Sequence, residues 1–208
     1  MPARRIIPAF MLMVAIAVWG ATARAQTDIG ASLYGAFSGT TNANGTVQSP
    51  SNAAGGLLEL RHLANPIVGF EATYSFNRAN ERYRSSTFGC PVSTSNCLPT
   101  TQTIKANAHE VTVDWVPSLK IGSFRPFGVL GVGALFDVPV GSQSNADTTT
   151  KAVYVYGAGL DWGLLPHLGL RFQYRGNLYK APDMSKLYTS ADAFRHTAEP
   201  MIGAYFSF

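Results

Sequence analysis

From residue 26 to the C-terminus, apolar and polar side chains alternate with a period of two through eight segments separated by turn residues. Such alternation gives a β-strand one apolar and one polar face, and no long stretch carries the 3.6-residue period of an amphipathic helix. Beyond residue 25 no run approaches the roughly 18 continuous apolar residues of a membrane-spanning helix. An all-β fold follows, and 208 residues leave room for one such domain.

The first segment, about residues 29–39, sets Ile29, Ala31, Leu33 and Phe37 against Gly30, Ser32, Tyr34 and Ser38. The second, about 55–63, places Leu58 and Leu60 opposite Glu59 and Arg61. In the third, Val68, Phe70, Ala72, Tyr74 and Phe76 form one face, with Glu71, Thr73 and Asn77 on the other. The fourth, 104–116, opposes Val111, Val113 and Trp115 to Glu110, Thr112 and Asp114. The fifth, 125–137, sets Leu130, Val132, Ala134 and Phe136 against Gly131 and Gly133, and both of its faces are fairly apolar. In the sixth, Tyr154, Tyr156 and Trp162 stand opposite Gly157, Gly159 and Asp161. The seventh opposes Leu168, Phe172 and Tyr174 to Arg171 and Arg175, and the eighth opposes Ile202, Phe206 and Phe208 to Glu199 and Tyr205.

Eight is an even count, so an antiparallel sheet can close with both termini at one end. The connections alternate in length. Asn65-Pro66, Pro117-Ser118 and Pro166-His167 mark short ones, whereas about 40–54, 78–103, 138–150 and 179–194 are long and polar. Short turns at one end and long loops at the other are the arrangement of a transmembrane barrel. Charged residues make up only 13% of the chain, about half the usual share of a soluble protein. Tyr74, Phe76, Trp115, Trp162, Tyr174, Phe206 and Phe208 sit on the apolar faces and are expected near strand ends, where a barrel meets the two lipid interfaces. A soluble ligand-holding barrel of lipocalin type also alternates and is the competing architecture.

Residues 1–25 read as a cleaved signal peptide: Arg4 and Arg5, the apolar run 6–19, then Ala23-Arg24-Ala25. The arginine pair lacks the flanking residues of a twin-arginine signal, which points to the general secretory route. The barrel domain is then 26–208. Three of the 16 basic and none of the 12 acidic residues lie in the leader, which leaves 13 against 12. That balance implies no cation cluster able to neutralise several phosphates, and it excludes nucleic acid as a partner.

RPFGVLGVGALF at 125–136, HLGLRFQYRGNLYKAPD at 167–183 and EPMIGAYFSF at 199–208 resemble the small bacterial outer-membrane β-barrel family, with its OmpA-like transmembrane domain. The resemblance spans essentially 26–208 and does not extend to the periplasmic peptidoglycan-binding domain. It implies an eight-stranded antiparallel up-and-down transmembrane β-barrel in the outer membrane of a Gram-negative-type bacterium. Its implied partners are outer-membrane lipids and lipopolysaccharide, and the barrel-assembly machinery and periplasmic chaperones during biogenesis. Phe206 and Phe208 look like the family's C-terminal assembly signal. No cofactor or metal is implied.

On these faces the lumen holds Glu59, Arg61, Glu71, Glu110, Asp114, Asp161, Arg171, Arg175 and Glu199. Ionised groups in a narrow interior must be paired and hydrogen-bonded, so an ion-pair network filling the barrel is expected, with a narrow small-solute or ion channel as the alternative. An eight-stranded interior is barely wide enough for side chains. Cys90 and Cys97 lie in the longest loop, and an oxidising compartment favours a loop-closing disulfide. A lipid-modifying enzyme is the third reading. No GxSxG motif is present, and His109-Glu110 lacks the second His of HExxH, so catalysis is not expected. The leading expectation is a structural and surface role in the envelope.

Overall fold

The computed structural model describes residues 25–65, 67–85 and 101–208. The leader through Arg24, together with Cys90 and Cys97, lies outside the described residues. Ten strands follow in order: β1 (Gln26–Ser38), β2 (Thr41–Ala43), β3 (Thr46–Pro50), β4 (Ala53–Leu63), β5 (Gly69–Ser85), β6 (Thr101–Trp115), β7 (Phe124–Pro139), β8 (Thr149–Gly163), β9 (Leu168–Lys180) and β10 (Phe194–Ser207). Eight of them close a ring. β1 pairs with β4, each later strand pairs with the next, and β10 returns to β1, every pairing antiparallel.

Closure leaves the eight-strand ring without an edge, the only way a sheet can satisfy its backbone groups in hydrocarbon. Polarity runs opposite to that of a soluble barrel. Leu33 is 72% exposed and Val113 60%, while Arg61, Arg171 and Arg175 are 0% exposed. In β7, Leu130, Val132 and Phe136 are exposed, which settles the orientation of the one strand with two fairly apolar faces. The alternating glycines of β7 and β8 point inward and make room there. A Cβ at Gly159, for instance, would collide with the Phe127 ring, which lies across it.

The loop end differs from the alternation pattern in three respects. β5 and β6 run on to Ser85 and Thr101 as a paired ribbon, well past Asn77, in what reads as loop. Above the apolar band both faces of a strand are polar, so alternation loses its contrast. Within the first long connection, β2 and β3 form a hairpin whose two-residue turn, Asn44-Gly45, has φ of 51° and 76°. Asn-Gly is the dipeptide that such a left-handed turn favours. Finally, Tyr74, Phe76 and Tyr174 sit part-way along their strands rather than at the ends. Phe70, Trp115, Phe124, Trp162 and Phe206 make the ring at the short-turn end, all exposed.

The connection 181–193 folds inward over the mouth. Met184 and Tyr188 are buried against Tyr83, Ile104 and Ala106. Tyr83 Oη and Gln48 Nε2 donate to the Pro182 carbonyl at 2.7 and 2.8 Å. Asp147 N donates to Met184 O at 2.8 Å, which ties this lid to the connection between β7 and β8.

Candidate functional site

All nine charged residues that the alternation places in the lumen are buried there. They form two linked clusters. Near the short-turn end, Arg171 donates from Nε and Nη2 to the two oxygens of Asp161 at 2.6 and 2.9 Å. Its Nη1 contacts Glu59, and its Nη2 lies 3.7 Å from Asp28. Arg61 donates to Glu71 from Nε at 2.8 Å and reaches Asp161 at 3.4 Å. Register brings these groups together: Arg61 stands opposite Glu71 across β4 and β5, and Asp161 opposite Arg171 across β8 and β9.

Aromatic faces complete that layer. The Arg61 guanidinium sits 4.1 Å from the Phe127 ring centroid, and Arg171 lies 5.0 Å from that of Tyr205. Cation–π contacts of this kind gain strength when desolvated. One layer up, Arg175 donates to Glu110, Thr73 and Thr112, each at 3.3 Å, and lies 3.5 Å from Asp114. Asn177 donates to the other Glu110 oxygen at 3.0 Å. Glu199 is buried near this cluster, with Oε2 unpartnered among the described residues.

Asp28, Glu81, Asp137, Arg125 and Arg195 also turn inward, though the alternation does not single them out. Glu81 and Arg195 form a bidentate pair at 2.7 and 2.8 Å under the lid. The missed signal was the continuation of period two past residue 77 in β5 and before residue 199 in β10. Counting these, nine interior carboxyls face five guanidiniums.

The ionic layers divide the interior. Below them a vestibule of about 710 Å³ opens at the short-turn end, lined by Gln26, Arg125 and Tyr205 among others. Above them, beneath the lid, a cavity of about 50 Å³ is lined by Glu81, Glu110, Asp137, Arg195 and Glu199. That is room for one or two waters, at roughly 30 Å³ each.

The four histidines lie away from these clusters. His62 is bonded to Thr27 at 2.9 Å, His109 to Tyr74 at 2.9 Å, His196 to Tyr156 at 2.8 Å, and His167 to the Ser207 carbonyl at 2.9 Å. Among the described residues, no group of three or more His, Cys, Asp or Glu side chains is placed to share a metal ion. Phe206 and Phe208 are exposed at the short-turn end, and Phe208 N donates to Thr27 O at 3.0 Å, which seals the terminal strand against β1.

The outer surface holds a feature that the near-neutral charge balance does not imply. Arg78, Arg82 and Arg84 of β5 and Lys105 of β6 all point outward, so the expectation of no cation cluster is corrected. They fall on alternate positions of two strands that only pairing brings side by side.

The chain is similar in structure to three solved barrels. It aligns with OprG from Pseudomonas aeruginosa at a TM-score of 0.55 and 13% identity, covering 88% of this chain and 95% of that one. Neisserial surface protein A gives 0.53 and 12%, covering 89% and 100%. Ail, the attachment invasion locus protein of Yersinia pestis, solved with the heparin analogue sucrose octasulfate, gives 0.51 and 18%, also covering 89% and 100%. No curated protein matches the chain in sequence. The model of the outer membrane protein beta-barrel domain matches residues 6–196, nearly the whole chain, and with the closed ring of eight inverted strands this makes the protein a member of that family, an outer-membrane β-barrel.

Proposed function

We propose that this barrel is a structural and surface component of a Gram-negative-type outer membrane, with a sealed interior and its long loops outside the cell. One observation carries the reading: Arg61, Arg171 and Arg175 are wholly buried among paired carboxylates between the vestibule and the small upper cavity. Three guanidiniums held this way block the axis, and displacing any one leaves buried carboxylates unpaired at a cost of about 3–5 kcal/mol. The lid adds a second closure. Export by the general secretory route and insertion by the barrel-assembly machinery belong to the same reading.

Outward histidines, each bonded to a hydroxyl or a carbonyl, support a non-catalytic role over lipid modification. Planar-bilayer recording of the purified, refolded protein tests the proposal. Insertion without discrete current steps is expected. Reproducible steps from the unmodified protein would replace it with the narrow-channel reading, and the acidic surplus of the upper cavity would then make the current cation-selective.

A further inference from the structure

Seven of the nine interior carboxyls, those of Asp28, Glu59, Glu71, Glu81, Glu110, Asp114 and Asp161, have a guanidinium nitrogen at salt-bridge distance. Asp137 and Glu199 are the two that have no such cation among the described residues. Both are buried, at 8% and 4% exposed. Each also leaves one oxygen, Asp137 Oδ2 and Glu199 Oε2, without a hydrogen-bond partner. A buried carboxylate with neither cation nor donor is strongly unfavourable. Chance would scatter two such groups. Here both line the cavity of about 50 Å³ beneath the lid, reaching it from β7 and β10, which are not neighbours in the ring.

A third unsatisfied oxygen belongs to the same place. Asn177 is 1% exposed and lines this cavity from β9. Its Nδ2 is committed to Glu110 Oε2 at 3.0 Å, which fixes the amide and leaves Oδ1, a neutral acceptor, unpartnered. Register sets Asn177 opposite Thr197, whose hydroxyl is bonded to those of Ser38 and Tyr179 at 2.7 and 2.8 Å; all three also line the cavity. The guanidinium in this wall, Arg195, gives both terminal nitrogens to Glu81, and its Nε reaches neither free carboxyl. Arg175 is engaged by Glu110 and Asp114. The cavity is thus a small, oxygen-rich space with two uncompensated negative charges.

We propose that this cavity binds one hard divalent cation, Ca²⁺. Asp137 and Glu199 match its charge, and Asn177 Oδ1, neighbouring hydroxyls and a water complete its oxygen shell. Hard cations take oxygen ligands, and Ca²⁺ accepts about six to eight of them in irregular arrangements. Mg²⁺ demands a strict octahedron and keeps several waters, for which a cavity of about 50 Å³ has no room. With two acids and neutral oxygens, the set differs from the clusters of three or more acids, histidines or cysteines that the described residues lack. Bound there, the cation ties β7, β9 and β10 together under the lid. The inference does not rest on the barrel being sealed, because metal content and conductance are read separately.

The test is metal analysis of protein refolded from urea into chelator-treated detergent micelles with Ca²⁺ and a potassium salt, then freed of unbound metal by gel filtration. Inductively coupled plasma mass spectrometry is expected to find about one calcium per chain in wild type. Glu199→Gln and Asp137→Asn, each removing one charged ligand, should weaken retention at least about tenfold. Asp192→Asn, a change at an exposed loop acid, should keep the full content. Urea unfolding adds a second signature. Without metal both lumen variants should be more stable than wild type, since each removes an uncompensated buried charge, and Ca²⁺ should stabilise wild type alone and reverse that order. If neither variant folds, as judged by heat-dependent gel mobility, the calcium content of wild type and its response to chelator decide. Wild type without calcium, with a stability indifferent to Ca²⁺, would overturn the proposal and mark both carboxyls as proton-bearing neutral groups. Retention undiminished in both lumen variants, or equal retention of Mg²⁺, would overturn it as well.

Discussion

The guanidinium carbon of Arg61 lies 4.1 Å from the centroid of the Phe127 ring, and that ring in turn lies across Gly159 on the neighbouring strand. The stack joins β4, β7 and β8 through the barrel axis, so one aromatic residue supports an ion pair that it does not itself make. Phe127→Ala removes the ring from above Gly159 and leaves a void beside Arg61. A loss of about 3–5 kcal/mol is expected, as for other buried aromatics. Urea unfolding in micelles, followed by tryptophan fluorescence, measures it.

Replacing Arg171 has a different signature. That side chain engages Asp161 and Glu59 directly and lies 3.7 Å from Asp28, so Arg171→Ala removes the main partner of two carboxyls and one of two cations near the third. The variant should be less stable by about 3–5 kcal/mol and should pass cations in short openings. Bilayer recording in asymmetric potassium chloride checks the sign of selectivity through the reversal potential.

Tyr83 is the hinge-pin of the lid. Its hydroxyl donates to Pro182 O at 2.7 Å and accepts from Met184 N at 3.2 Å, while its ring stacks on Tyr188 at 6.0 Å. Tyr83→Ala should free the 181–193 segment without opening the barrel. Limited trypsin digestion ought to cut faster after Lys186, with the heat-dependent gel shift intact. Cleavage at the wild-type rate would show that the lid is held by something else.

Phe208 pairs with Thr27 yet exposes its ring. If its importance lies in recognition during biogenesis, deleting it should lower the folded fraction in cells several-fold while refolding from urea into detergent proceeds normally. A parallel loss in both would instead mark it as a stability residue of the last strand.

Cys90 and Cys97 are expected to be oxidised in protein recovered from the envelope. Alkylation of the denatured chain should leave its mass unchanged until a reductant is added, after which two thiols react.

The strand faces were legible in the sequence wherever one side meets lipid and the other the lumen. There apolar and charged residues oppose each other directly, as at Leu58–Leu60 against Glu59–Arg61. Past the apolar band the contrast disappears, since both faces are polar. Glu81, Asp137 and Arg195 therefore read as loop or passed unassigned, although they point inward as strictly as Glu71 does. The same loss of contrast hid the stripe of Arg78, Arg82 and Arg84. Their even spacing is visible in sequence, but its meaning depends on Lys105 arriving from the next strand. The β2–β3 hairpin was announced only by Asn44-Gly45, a local turn signal that hydrophobic periodicity does not register.

The inward-folded connection between β9 and β10 has a consequence for what the cell displays. With Met184 and Tyr188 tucked against Tyr83, Ile104 and Ala106, this stretch would, in the proposed orientation, offer an antibody or a phage tail only its outward side chains, Lys186, Thr189 and Asp192. The Asn44-Gly45 tip and the left-handed turn at Asn145 are moored to the same stretch, Asn44 Nδ2 donating to Ser190 O and Lys186 N to Asn145 O, each at 3.0 Å, so a visitor from outside would meet three connections as one joined surface.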